Sequence, residues 1–129
     1  MARILIADDE PEVVQFCTYA LAKDGHAVSS AETGTQALEK LRSDPPELLI
    51  LDVMLPGMDG YTLQLQMAQD ALLCNIPVVV ITALKPAQGL FDRFEQVAAF
   101  LAKPFLAEDL QAAVKHALSD SWRVEKKSS

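Results

Sequence analysis

A chain of 129 residues, half of them apolar and 22% charged, has the size and make-up of one folded domain. Its 18 acidic against 11 basic residues give a net charge of −7, which repels a phosphate backbone and argues against direct nucleic-acid binding. No apolar stretch nears the ~20 residues of a bilayer span, and Met1–Ile6 meets Ala7-Asp8-Asp9-Glu10 too early for a signal-peptide core. A cytoplasmic location without a membrane partner is expected.

Five short apolar runs alternate with amphipathic stretches. The first run, Arg3–Ala7, reads as a strand, and Val13, Cys17 and Leu21 then repeat at helical spacing. The second, His26–Ser30, is more polar and suits a sheet edge. Thr33 is a plausible N-cap for a helix with Ala37, Leu38 and Leu41 on its inner face. The third run, Glu47–Asp52, contains the unbroken Leu48-Leu49-Ile50-Leu51, as expected for a strand covered on both faces. Asp59 caps the next helix, which carries Leu63 and Met67 inward. The fourth run, Pro77–Thr82, is again continuous through Val78-Val79-Val80-Ile81.

Leu90, Phe94 and Val97 form an i, i+4, i+7 stripe for a fourth helix, before a fifth strand at Ala98–Ala102. Phe91 lies about 100° from that stripe, either exposed as a partner contact or packed at its edge. Pro86 and Gly89 weaken this helix and no glycine closes it, so it is expected to be short, shifted or mobile. Leu106, Leu110, Val114 and Leu118 mark the last helix. Cys17 and Cys74 are isolated and read as buried free thiols. From Ser119 the periodicity stops, so the chain divides into a (βα)5 domain at residues 1–118 and a polar, frayed tail at 119–129. Trp122 is expected to be loosely packed there, and Lys126-Lys127 is too small a basic cluster to signal nucleic acid. His26 and His116 are read as ordinary surface histidines.

Strand–helix alternation with short connections implies an α/β fold with a parallel sheet. Ligands of such sheets bind beyond the carboxyl ends of the strands. Those ends carry Asp8-Asp9-Glu10, Asp52, Thr82-Ala83 and Lys103-Pro104. One Asp after a strand is as readily an N-cap as a ligand, but so many carboxylates on one rim repel unless cations sit among them. Lys103 supplies one positive charge, and oxygen-only ligands favour Mg²⁺ for the rest. A carboxylate beside Mg²⁺, an ammonium and a hydroxyl is equipped for aspartyl-phosphate chemistry.

The Ala7-Asp8-Asp9-Glu10 turn, Leu51–Gly60, the Thr82-Ala83 pair and Lys103-Pro104-Phe105 resemble the receiver domain of bacterial two-component response regulators. The likeness covers residues 3 to about 118. It implies a flavodoxin-like three-layer sandwich with five parallel strands in the order 2-1-3-4-5. It further implies that Asp52 accepts a phosphoryl group from a histidine kinase or histidine phosphotransfer protein. Asp9 and Asp52 would bind Mg²⁺ by their side chains, Met54 by its backbone carbonyl, and Asp8 largely through a water. Lys103 and Thr82 would each hold a phosphoryl oxygen, and the Lys103-Pro104 bond would be cis.

Phe100 would be the aromatic switch, against the plainer reading of a core aromatic. Phosphorylation would alter the surface of helix 4, strand 5 and helix 5 and so control an output partner. Such a chain is not an enzyme beyond assisting its own phosphorylation and dephosphorylation. The apolar Met54 and Leu84 beside the site imply a long-lived phosphoryl group, since neither can orient a water. Gln96-Val97-Ala98-Ala99 departs from the Gly-Ala common before strand 5 in this family.

A haloacid-dehalogenase type phosphatase would need an acid two residues after Asp52, where Met54 stands, and FMN would find no phosphate-cradling loop. The remaining alternatives are a phosphorylation-independent receiver-like scaffold and the N-terminal piece of a longer response regulator.

Overall fold

The apolar runs fold as parallel strands β1 (Arg3–Ala7), β2 (Ala27–Ala31), β3 (Leu48–Asp52), β4 (Val78–Thr82) and β5 (Val97–Ala102). A computed structural model places them in one sheet ordered 2-1-3-4-5, as the resemblance implied. It describes residues 1–128; Ser129 and the side chains of Lys85, Glu125, Lys127 and Ser128 lie outside the described set, and with them part of the Lys126-Lys127 pair and of the expected tail. All residues of β3 and β4 are buried, which explains why their sequences are apolar without alternation. The serine-bearing β2 occupies one edge and alternates in exposure.

Helices α1 (Pro11–Lys23), α2 (Gly34–Ser43), α3 (Gly60–Ala68), α4 (Gln88–Phe91) and α5 (Ala107–Leu118) connect or follow the strands. Alternate strand residues feed two cores. Leu5, Leu49, Leu51, Val78 and Val80 pack with Leu38 and Leu41 of α2 and with Leu63 and Met67 of α3. Ile4, Ile6, Leu48, Ile50, Val79 and Ile81 pack with Cys17 and Leu21 of α1 and with Leu110 and Val114 of α5. The expected caps form, with Thr33 Oγ1 accepting from the Gln36 amide at 3.0 Å and Asp59 Oδ1 from the Thr62 amide at 2.8 Å.

Gly34 opens α2 where the loop after β3 crosses it, and a Cβ there would lie 1.8 Å from the carbonyl oxygen of Met58. Backbone cannot yield as a side chain does, so Gly34→Ala is expected to cost about 3 kcal/mol. Urea unfolding would show it as a lower midpoint with an unchanged slope.

Helix α4 is short, as its sequence implied: four residues after a 3-10 turn at Lys85–Ala87. The stripe expected for it does not exist. Leu90, expected inside, is 48% exposed, while Phe91, read as either exposed or packed at the stripe's edge, is fully buried. One turn of helix ends before a stripe can form, and Phe91 instead packs with Tyr61 and Phe94 at centroid distances of 5.8 and 6.3 Å. Val97 belongs to β5, where a register irregularity between Val78 and Val79 accommodates Ala98. Gln96 just before it is buried; its Nε2 donates to the carbonyls of Leu73 at 3.1 Å and Ile76 at 2.8 Å. Its Oε1 accepts from Gln64 Nε2 at 2.9 Å. A side chain that ties the chain into α3 and the α3–β4 connection thus stands just before β5, where the sequence departs from the Gly-Ala pattern.

Cys17 is buried, and burial pushes its thiol up to about 12, with the Asp8 charge adding to the rise. Cys74 is only half-buried, because it lies in the turn after α3 rather than on a helix face. The frayed reading of the tail is also corrected. Asp120 adopts φ 64°, a left-handed conformation that Asp tolerates, and breaks α5 from a further helix, α6 (Ser121–Ser128). Trp122, expected to be loose, is 3% exposed, and its indole N–H donates to the Ala117 carbonyl at 2.9 Å. His26 has a structural use, since its Nδ1 accepts from the Ala2 amide at 3.0 Å.

Candidate functional site

The carboxyl ends of β1, β3, β4 and β5 meet on one rim, so residues separated by up to 95 positions converge. Asp52, the last residue of β3, is 3% exposed, and Asp8, just after β1, is fully buried. The Lys103 ammonium lies 2.8 Å from Asp8 Oδ2, 3.0 Å from Asp52 Oδ2 and 2.7 Å from Glu10 Oε1. Its backbone is fixed by the bond from the Lys103 amide to the Thr82 carbonyl at 2.8 Å. The Lys103-Pro104 peptide bond is cis, as expected.

The electrostatics follow from burial. Burial pushes the Asp8 carboxyl above its ordinary range and the Asp52 charge adds to that, while the bonds from Lys103 and from the Glu10 amide oppose it. For Lys103, burial alone would lower the ammonium. The three carboxylate bonds outweigh burial and hold it above the usual lysine range. Lys103 therefore stays charged at any working pH.

Asp8, Asp52 and Lys103 are brought together as the sequence suggested. Thr82 is fully buried at the end of β4, its Oγ1 accepting from the Leu84 amide at 3.1 Å. The Met54 amide donates to Asp52 Oδ1 at 3.2 Å, which keeps its backbone beside the acceptor carboxylate. Asp9 is exposed and stands outside the trio of Asp8, Glu10 and Asp52, whose oxygens lie within 4.8 Å of one another. That all-oxygen set is suited to a hard divalent cation. Phe100, half-buried on β5, packs against the core shared with α2, α3 and α4.

Glu10 received no individual role from the sequence, yet it is a full partner of Lys103. Its position before Pro11 marks it as the N-cap of α1, and a capping role would have kept its carboxylate at home. Its side chain makes no cap bond; its amide instead donates to Asp8 Oδ1 at 2.8 Å. The signal was the uninterrupted Asp8-Asp9-Glu10 at a strand end.

Residues 4–115 match the response regulator receiver domain family. The protein PilH of Pseudomonas aeruginosa is 31% identical over 120 residues, covering 92% of this chain and 99% of that protein. The alkaline phosphatase synthesis transcriptional regulatory protein PhoP of Bacillus subtilis is 32% identical over 126 residues, which is 92% of this chain but 49% of PhoP. Among solved structures, the signal receiver domain of a signal transduction histidine kinase from Syntrophus aciditrophicus superposes with a TM-score of 0.82 at 30% identity, covering 94% of this chain and 92% of that one. The chain thus spans nearly all of one relative and about half of another. Fold, rim and matches agree: the chain belongs to the family of response regulator receiver domains.

Proposed function

We propose that this chain works as receiver domains do, as a signalling module that meets a histidine kinase and an output protein and binds Mg²⁺ at its acidic site. Within that frame we propose that Asp52 of this chain is the phosphoacceptor. The observation that carries the reading is the Lys103 ammonium held among Asp8, Glu10 and Asp52, with Asp52 3.0 Å away. Asp8 and Asp52 of the acidic trio, with the Met54 carbonyl and with Asp9 joining from its exposed position, would hold the cation, which supplies positive charge to the transferring oxygens when bound.

In the transfer, an Asp52 oxygen attacks the phosphorus of a phosphohistidine. The P–O bond forms as the P–N bond breaks, and the leaving imidazole keeps the electron pair. Lys103 then exchanges one carboxylate contact for a phosphoryl oxygen, and the Thr82 hydroxyl donates to another. Phe100 follows Thr82, and the surface of α4, β5 and α5 changes toward the form an output protein reads. The chain assists only its own phosphorylation and dephosphorylation, and is not an enzyme in the ordinary sense. Residues 1–118 carry this function, with 119–129 an appendage to it. A cytoplasmic setting suits these partners, and among the described residues no helix is long and apolar enough to cross a membrane.

Incubation with acetyl phosphate and Mg²⁺ tests the assignment. The intact mass should rise by one phosphoryl group in the wild type and not in Asp52→Asn, and chelation of Mg²⁺ should prevent it. A wild type that stays unmodified with both acetyl phosphate and a phosphorylated histidine kinase would favour the scaffold reading instead.

A further inference from the structure

Helix α6 is short and polar, and eight residues of such composition do not hold a helix in water unaided. Its order must come from anchors, and three of them reach different parts of the fold. The Trp122 indole binds the end of α5 through the Ala117 carbonyl. The Arg123 guanidinium donates to the Asn75 carbonyl in the α3–β4 connection at 2.7 Å. The Lys126 ammonium donates to the carbonyl of Val97, the first residue of β5, with Asp92 and Glu95 of the α4–β5 junction close enough to favour its charge.

The last two targets are also those that Gln96 stitches together from inside. The α4–β5 junction is thus gripped twice, by a buried amide and by an outer helix.

We propose that α6 is a clasp on the α4–β5 junction, which phosphorylation of Asp52 loosens and which in turn opposes phosphorylation. The inference rests on Asp52 being the phosphoacceptor. Strand β5 carries Phe100 and runs into Lys103 at the site, while Val97 at its other end receives Lys126, about 20 Å away at the usual strand rise. The single turn of α4 is held by Phe91 against Tyr61 and Phe94, and Phe100 packs against the same core cluster, so a change at Phe100 reaches the junction through that core. Moving the Val97 carbonyl or the Asp92 and Glu95 carboxylates weakens the hold on a half-buried ammonium. Burial also pushes Lys126 below the ordinary lysine range, since desolvation disfavours the ammonium. Coupling of two sites is reciprocal, so whatever loosens the clasp must favour the phosphorylated form.

Trp122 is the single tryptophan, so tryptophan emission from the full chain reports the clasp alone. Acrylamide quenching would be measured before and after acetyl phosphate and Mg²⁺, with intact mass read on the same samples. Affinity for beryllofluoride, a phosphoryl mimic, would be compared in wild type and Lys126→Met. The expected result is a several-fold higher quenching constant in the phosphorylated wild type and no change in Asp52→Asn. Lys126→Met should be more quenchable at rest and bind beryllofluoride about fivefold more tightly. One phosphoryl group per chain with unchanged quenching, and equal beryllofluoride affinity in the two proteins, would overturn the clasp and leave the phosphoacceptor intact. Neither phosphoryl uptake nor beryllofluoride binding would overturn the phosphoacceptor reading, and the clasp with it.

Discussion

Replacing Lys103 by Met is expected to slow phosphoryl transfer to Asp52 about a hundredfold, the usual effect of removing one charge-stabilising donor from a transition state. It is also expected to lower stability in metal-free buffer by about 3 kcal/mol, because a fully buried Asp8 loses the cation that compensates it. Glu10 is half exposed and contributes little to that figure, since water screens it. Mg²⁺ should restore part of the stability, as it restores positive charge among the same oxygens. Urea unfolding followed by far-ultraviolet circular dichroism, with chelator and with Mg²⁺, checks this. Equal stability of variant and wild type under chelation would show that the carboxylates do not depend on Lys103.

The phosphoryl group on Asp52 is expected to persist for minutes or longer. Met54 and Leu84 flank the site, are 57% and 44% exposed, and offer a thioether and an isobutyl group where a hydrolytic water would need an acceptor. Oriented proton acceptance is worth about a hundredfold or more in rate, and nothing at these two positions supplies it. Met54→Glu should therefore shorten the lifetime about tenfold, a partial gain because the new carboxylate is exposed and imperfectly aimed. The decay of phosphorylated chain by intact mass after removal of the donor measures both. Loss within seconds from the wild type would contradict the argument.

The site was legible in the sequence for a simple reason. A buried parallel strand is an unbroken apolar run, so its carboxyl end is marked by the first polar residue after it. Asp8, Asp52 and Thr82 each stand at such a boundary, and Lys103 follows one residue after β5. Strand order could not come from periodicity and came with the resemblance; only the edge position of β2 was written in its serines.

What was not legible had the opposite character. The assignment of Leu90 to an inner stripe, with Phe91 at its edge or exposed, assumed several helical turns, and a one-turn α4 makes any angular stripe meaningless. Helix α6 hides because its order rests on Trp122 and on polar contacts to Asn75 and Val97, partners that only the tertiary fold supplies. Glu10 hides for the same reason, since a local capping role and a bond to a residue 93 positions away look identical in sequence.

Asp52, and no other carboxylate of the rim, is expected to carry the phosphoryl group. Borohydride reduces an acyl phosphate and converts the phosphorylated aspartate to homoserine, so trapping followed by peptide sequencing by mass reads the acceptor directly. Homoserine is expected at position 52 alone, after acetyl phosphate and Mg²⁺. Homoserine at position 8 or 9 would contradict it, as would an unreduced chain that had gained the mass of a phosphoryl group.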